Sequence, residues 1–305
     1  MSSPRVRRRL AERALAGSGV AGLSRFLRRD QTMVLAYHNI VATRDTAGAD
    51  APLHLTRADF ADQMASLRRT HEIVPLEVVL STRTSSGRPR AAITFDDAYV
   101  GAVFHGVDVL AAMGLPGTIF VTPGRLGGDS FWWDALSGPI SAMSAFRAHV
   151  LRDLSGRDAA ARAEASKHGL VEVDVPSESR TATEGDLVSA MQRHSTLTFG
   201  AHTWTHPNLA TLRGAELSEE LERPRAWLES SALRGRVIDW VAYPYGGTSP
   251  HVEAAARAAG YRAGLSTESA WLRADHGNSF AIPRVSVPGT VSIAGFTLRT
   301  AGLRR

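Results

Sequence analysis

The sequence predicts an α/β fold: a largely parallel sheet shaped into a distorted or incomplete (β/α) barrel with a helical insertion at its rim. Three observations carry this. Short β-type runs alternate with longer helical patterns. About eight such runs follow one another after residue 30, the number a barrel of this kind needs. No glycine-rich turn follows a strand, so a dinucleotide-binding sheet is not indicated. An open doubly wound sheet is the structural alternative.

The elements are justified in chain order. "TMVLAY" (32–37), "EIVPL" (72–76), "AAITF" (91–95) and "GTIFV" (117–121) are apolar and β-branched, as strands buried on both faces require. "LTFG" (197–200), "IDWVA" (238–242), "YRAGLS" (261–266) and "IPRVSV" (282–287) continue the series. Helical periodicity fills 57–69, 100–113, 211–231 and 250–259. The stretch 126–195 separates two strands by more than a crossover helix needs. It opens on "GGDSFWWDALSG", continues as Ala/Arg-rich helix, and reads as an insertion whose middle, "VEVDVPSESRTATEGD", is exposed and irregular. The organisation predicted is therefore a segment 1–30 and a domain 31–300.

Composition narrows the function classes. Of 305 residues 44% are apolar, enough for a large core, and no run of 18 apolar residues suggests a membrane span. Cysteine is absent, which excludes disulfides and thiolate metal sites. Residues 1–30 hold eight arginines against Glu12 and Asp30, a net of +6, while the whole chain carries +5. Leu10, Leu15, Leu23, Phe26 and Leu27 are interleaved with those arginines. Gly17-Ser18-Gly19 and Arg25 break any continuous apolar stretch, so a signal peptide is not read here. The segment suits peripheral contact with an anionic membrane surface, or a solvated helix capping the domain. A cytoplasmic protein, or one at the inner face of the membrane, is expected. No finger, recognition helix or RNA-binding aromatic motif accompanies the charge, so nucleic acid is not expected as a partner.

The chemistry gathers at strand ends. Asp96 and Asp97 close the run "AAITF" as adjacent carboxylates, which a buried setting tolerates only beside positive charge. His202 and His206, in "AHTWTHPNL", are four residues apart, a spacing that on a helical turn puts both imidazoles on one face. Two histidines and a carboxylate make a common divalent-metal site. His38 in "LAYHNI" and "YPYGG" (243–247) also follow strands, and in a parallel barrel such ends converge on one rim. Tyr99, Trp132, Trp133, Trp204 and Tyr245 fall near that rim, either as faces for a ligand to stack on or, for Trp132 and Trp133, as anchors of the insertion. His105 and Asp134 read as surface or local structural groups.

These motifs resemble those of the polysaccharide deacetylases of carbohydrate esterase family four, the nodulation-type homology domain, over nearly all of residues 32–288. "TFDDAY" looks like the first motif, "HTWTHPNL" the second and "YPYGG" the third. The resemblance implies a hydrolase removing N-acetyl groups from a hexosamine-containing glycan, with acetate released. It implies a divalent metal, zinc first, on Asp97, His202 and His206, with Asp96 as base and the backbone N–H of Tyr245 at the oxyanion. The family's C-terminal histidine motif is missing. "LAYHNI" resembles a permuted subgroup with that histidine near the N-terminus, which gives the acid role to His38. Ala242 stands where the third motif often has an arginine; Arg284 is the candidate to replace it from another strand. Ala98 replaces the first motif's glycine, and would be strained if φ there is positive. The competing readings are a catalytically silent glycan-binding barrel, and a deacylase of an O-acetyl ester or a non-sugar amide.

Overall fold

A computed structural model describes residues 4–46, 48–81, 87–273 and 276–304. Its principal sheet has eight strands: β1 Thr32–Tyr37, β2 Glu72–Ile73, β3 Arg90–Phe95, β4 Gly117–Val121, β5 Leu197–Ala201, β6 Val237–Ala242, β7 Ala263–Leu265 and β8 Val285–Ser286. The order is β7-β6-β5-β4-β3-β1-β8, with β2 added to β3, and every pair is parallel. The two ends of this path meet. Ile282 bridges Leu265 of β7, while Val285 and Ser286 of β8 pair with Leu35 and Ala36 of β1. The sheet thus curls into a distorted (β/α) barrel.

β1, β3 and β4 are buried along their whole length, which is why they read as continuous apolar runs. Alternation along the strands splits the core in two. Val34, Ala92 and Phe120 point to the barrel interior with Ile238, Trp240 and Ile282. Met33, Leu35, Tyr37, Ile93, Phe95 and Ile119 point outward, beneath helices such as Arg57–Thr70 and Val107–Met113. Continued two residues at a time, the interior phase reaches His38, Asp96 and, from Gly200, His202. The pleat therefore aims these side chains at the barrel axis.

A short parallel pair, Asn39–Val41 with His54–Thr56, was not legible as strands. The insertion carries helices Trp132–Ala135, Ile140–Asp153 and Asp158–Glu164. Helix Glu184–Arg193, started by a capping box of Thr183 and Asp186, leads directly into β5 and is the crossover helix. The middle of the insertion is largely exposed and irregular, as expected, but Ser179, Thr181 and Ala182 within it are buried, the last two for a reason given below.

Helices Pro4–Gly17 and Val20–Leu27 lie against the C-terminal helix Ile293–Arg299 and the residues after it. Glu12 accepts from Ser292 Oγ at 3.0 Å and pairs with Arg304, and Ser24 Oγ donates to the Ala301 carbonyl at 2.6 Å. The side chains of Arg5, Val6, Arg7, Arg8 and Arg9 lie outside the described residues.

Candidate active site

The barrel register sets the site. Tyr37 of β1 pairs with Phe95 of β3, and Asp96 N–H donates to the Tyr37 carbonyl at 2.9 Å, so His38 and Asp96 leave their strands side by side. Asp96 and Arg284 form a two-pronged ion pair, Nη1 to Oδ1 at 2.7 Å and Nη2 to Oδ2 at 2.8 Å. Arg284 is wholly buried and also donates from Nε to the Ser266 carbonyl at 3.2 Å. Burial works to raise the Asp96 pKa, but the Arg284 charge and hydrogen bonds outweigh it and hold the carboxyl well below the usual carboxylate range. Arg284, immediately before the strand that closes the barrel, thus supplies the positive charge beside Asp96.

Asp97 turns the other way. Its pKa is pushed up to about 6, chiefly by burial, with the Asp96 charge adding to the rise and His202 and His38 opposing it. His202 Nε2 stands 3.5 Å and His206 Nε2 3.2 Å from Asp97 Oδ1. Burial lowers both histidines to about 4, so near neutrality they are uncharged and these approaches are not ion pairs. His202 Nδ1 lies 2.7 Å from the Ala242 carbonyl, which fixes the proton there and leaves Nε2 with a free lone pair. Asp97 Oδ1 is buried with no hydrogen-bond partner. Two imidazole nitrogens and an orphaned carboxylate oxygen, spaced near the ~3.4 Å edge of a tetrahedron with metal–ligand bonds of about 2.1 Å, fit a divalent ion. Asp97, His202 and His206 are one of two groups among the described residues with ligand atoms this close.

The other is His149, Glu164 and His168 on the insertion. There His149 has a carboxylate on each ring nitrogen, Asp153 at 2.8 Å and Glu164 at 3.0 Å, and these raise its pKa. That pattern suits a protonated, ion-paired imidazole.

The His202–His206 spacing does not act through a helix, contrary to the sequence reading. The segment is a loop in which Thr203 and His206 both have left-handed φ, 64° and 70°. Glu220, from the helix Gly214–Ser230, holds it: its carboxylate accepts from Trp204 N at 2.9 Å, Thr205 N at 2.8 Å and Thr205 Oγ1 at 2.5 Å. Glu220 had no local signal in the sequence, since its partners are 15 and 16 residues away.

The first motif is also strained. Asp97 and Ala98 both have positive φ, 70° and 52°, so Ala98 bears the strain that a glycine would avoid, on the order of 1–2 kcal/mol. The insertion clamps it. Ala182 N–H donates to the Ala98 carbonyl at 2.9 Å, Val100 N–H to the Arg180 carbonyl at 2.9 Å, and Tyr99 bridges Thr181. This is why Thr181 and Ala182 are buried. Asp134, fully buried and not at the surface, accepts from Tyr99 OH at 2.7 Å and lies 2.7 Å from His54 Nε2, while Trp133 Nε1 donates to Tyr99 OH at 2.8 Å. His105 is a local structural group, 3.1 Å from Glu178.

The aromatics are sorted by burial. Trp133 stacks on Phe131 at 4.4 Å and borders His206 at 5.1 Å, and Trp132 meets Phe146 edge-on. Both tryptophans are packed, so they anchor the insertion and do not form an open sugar platform. Trp204 remains partly exposed, with the Arg223 guanidinium over its ring. Tyr245 has φ 56°, packs its ring on His206 at 4.8 Å, and donates from its hydroxyl to the Gly156 carbonyl at 3.1 Å.

Residues 83–264, more than half of the chain, match the sequence profile of the polysaccharide deacetylases. No curated protein sequence matches the chain. Among solved structures it is similar to the Streptococcus pyogenes deacetylase PplD in complex with acetate, at 17% identity and TM-score 0.60, covering 87% of this chain and 96% of that one. It is also similar to IcaB from Ammonifex degensii, at 18% identity and TM-score 0.60, covering 90% and 97%. A third is BC0361, a polysaccharide deacetylase from Bacillus cereus, at 16% identity and TM-score 0.61, covering 88% and 68%.

Proposed function

The chain belongs to the polysaccharide deacetylase family, hydrolases of the C–N bond in acetylated sugars, and from that premise we propose that it removes N-acetyl groups from a hexosamine-containing glycan, releasing acetate. The observation that carries the residue roles is the division of labour between adjacent carboxylates. Arg284 ties up Asp96 and keeps it ionised outside the Asp97/His202/His206 group, leaving the latter as a metal-binding set.

A divalent ion there, zinc first for this donor set and cobalt, nickel or manganese next, would polarise the acetyl carbonyl and make a nearby water acidic enough for a base as weak as Asp96. Asp96 takes the proton of the attacking water. The backbone N–H of Tyr245 donates to the carbonyl oxygen as charge develops on it. The C–N bond breaks as His38, at the rim end of β1, gives a proton to the leaving nitrogen, so that acetate and a free amine result. Arg284 and Glu220 move no protons; they fix the base and the loop of the two histidines.

The test is acetate release from N-acetylglucosamine oligomers by wild type and Asp96→Asn, each stripped with chelator and reloaded with zinc. Zinc-dependent release by wild type alone is expected. Equal release by Asp96→Asn would remove Asp96 from the base role. Release only from O-acetylated sugars would replace the amide with the ester as substrate.

Residues 1–30 are assigned, on their charge and their exposed leucines, to peripheral contact with a membrane, in keeping with a protein at the inner membrane face.

A further inference from the structure

We propose that the cavity beside the helix Val20–Leu27 binds a phosphate anion carried on a lipid headgroup, seating this part of the molecule on an anionic bilayer. The proposal rests on the membrane-contact reading of residues 1–30 and names its ligand.

The cavity has a volume of about 500 Å³ and is bordered by Leu27, Arg28, Trp271, Arg299 and Arg304, with no carboxylate lining it among the described residues. Two buried donors there, Arg299 Nε and Trp271 Nε1, have no hydrogen-bond partner. Burial alone lowers the Arg299 pKa from its ordinary value, as for a guanidinium without an opposing charge. Arg28 donates from Nη1 to Ser24 and stands 5.9 Å over the Trp271 ring. Arg304 is the one of these arginines that the described ion pairs neutralise, through Glu12. A buried N–H without an acceptor is costly, and an oxyanion reaching either donor would satisfy it while meeting the surplus charge.

The surroundings distinguish a lipid from a free anion. Leu10, Val20, Leu23, Phe26 and Leu27 are 42–67% exposed. Ile293 and Leu303, on the C-terminal helix and tail that the first two helices pack against, are exposed as well. Arg29 lies over the Phe26 ring at 4.7 Å. An apolar face fringed by arginine and opening beside a basic cavity roomy enough for a whole phospholipid headgroup matches the acyl boundary and headgroup layer of an anionic membrane. A free phosphate has no use for the exposed leucines. A second copy of the chain would bring two segments of net +6 together.

The experiment is cosedimentation of the full chain with phosphatidylcholine vesicles, with and without phosphatidylglycerol. Wild type should bind only the anionic vesicles, less so as salt rises. Leu23→Glu/Phe26→Glu should lose at least tenfold in binding while deacetylating a soluble oligosaccharide as wild type does. Arg299→Gln should lose about fivefold, the worth of one basic contact at such a surface. Arg299→Lys should recover most of this. Trp271→Phe, which removes the other donor, provides an independent variant should Arg299→Gln fail to fold. Wild-type binding by both Arg299→Gln and Trp271→Phe would overturn the headgroup site and leave the membrane reading standing. Absence of wild-type binding to either vesicle would overturn both. Thermal stabilisation by inorganic phosphate equal to that by anionic vesicles would make the ligand a free anion. Self-association abolished by Leu23→Glu/Phe26→Glu, without vesicle binding, would make the face an interface between copies.

Discussion

Arg284→Met tests the division of labour most directly. The substitution keeps the buried stem and removes the guanidinium, leaving Asp96 3% exposed without its counter-ion. Two charge-assisted hydrogen bonds are lost, at 2.7 and 2.8 Å, each worth about 1.5–3 kcal/mol. Breaking a buried pair on one side costs about 3–5 kcal/mol, because the remaining charge is uncompensated. Against a typical domain stability of about 5–15 kcal/mol this is a large fraction. The assay is urea unfolding of metal-free protein across pH. In wild type the Asp96 pKa is depressed, so its stabilisation is present above the unfolded value of about 4 and is lost only as pH falls below it. In the variant burial is the largest influence left and raises that pKa, with His202 and His38 opposing it, so the deficit is largest near pH 7 and shrinks as pH falls toward 5 and Asp96 takes a proton. Adding Asp96→Asn removes the buried charge and should recover all but about 1 kcal/mol of the loss. A deficit below about 1 kcal/mol, independent of pH and unchanged by Asp96→Asn, would refute the argument that Arg284 exists to hold an ionised Asp96.

Other outcomes follow from the same geometry. His202→Ala should bind no zinc by elemental analysis; one retained equivalent per chain would remove His202 from the ligand set. Zinc affinity, followed by chelator competition, should fall below pH of about 6 as Asp97 takes up its proton, and more steeply toward 4 as His202 and His206 charge; a flat profile would exclude these ligands. His38→Ala should slow amide cleavage far more than cleavage of an activated acetyl ester, whose leaving group needs little protonation; equal losses would show that His38 is not the acid. Asp134→Leu should cost about 2–4 kcal/mol in chemical denaturation, because it strands the buried Tyr99 hydroxyl and His54; a neutral effect would mean that the network does not hold the first motif.

Most of the eight sheet strands were legible because strands buried on both faces are written as apolar runs, and each landed within a few residues of its run. β2, β7 and β8 came out shorter, since Pro75, Arg262 and Pro283 interrupt them. Asn39–Val41 and His54–Thr56 escaped because three-residue strands carry no period. The residues of the candidate site were legible for a different reason: strand alternation carries interior positions into the rim, so Asp96 and His202 could be placed from strand ends alone. What holds them was not legible. The four-residue histidine spacing suggested a helix, yet Glu220 and two left-handed residues build a loop instead. Asp134 and His54 are 80 residues apart, and residues 180–182 reach back to 98–100; such pairings leave no local pattern in the sequence.

That reach has a consequence for the order of assembly on the ribosome. β3 and its two carboxylates are synthesised first, but the left-handed turn at Asp97 and Ala98 has no clamp until Ala182 has emerged. His202 and His206 follow about twenty residues later, and Arg284 only near the end of the chain. A nascent chain therefore displays a flexible pair of acidic residues, with neither their histidine companions nor their counter-ion. The last strand to be made both closes the barrel and delivers Arg284 to Asp96, so completion of the fold and ignition of the chemistry coincide.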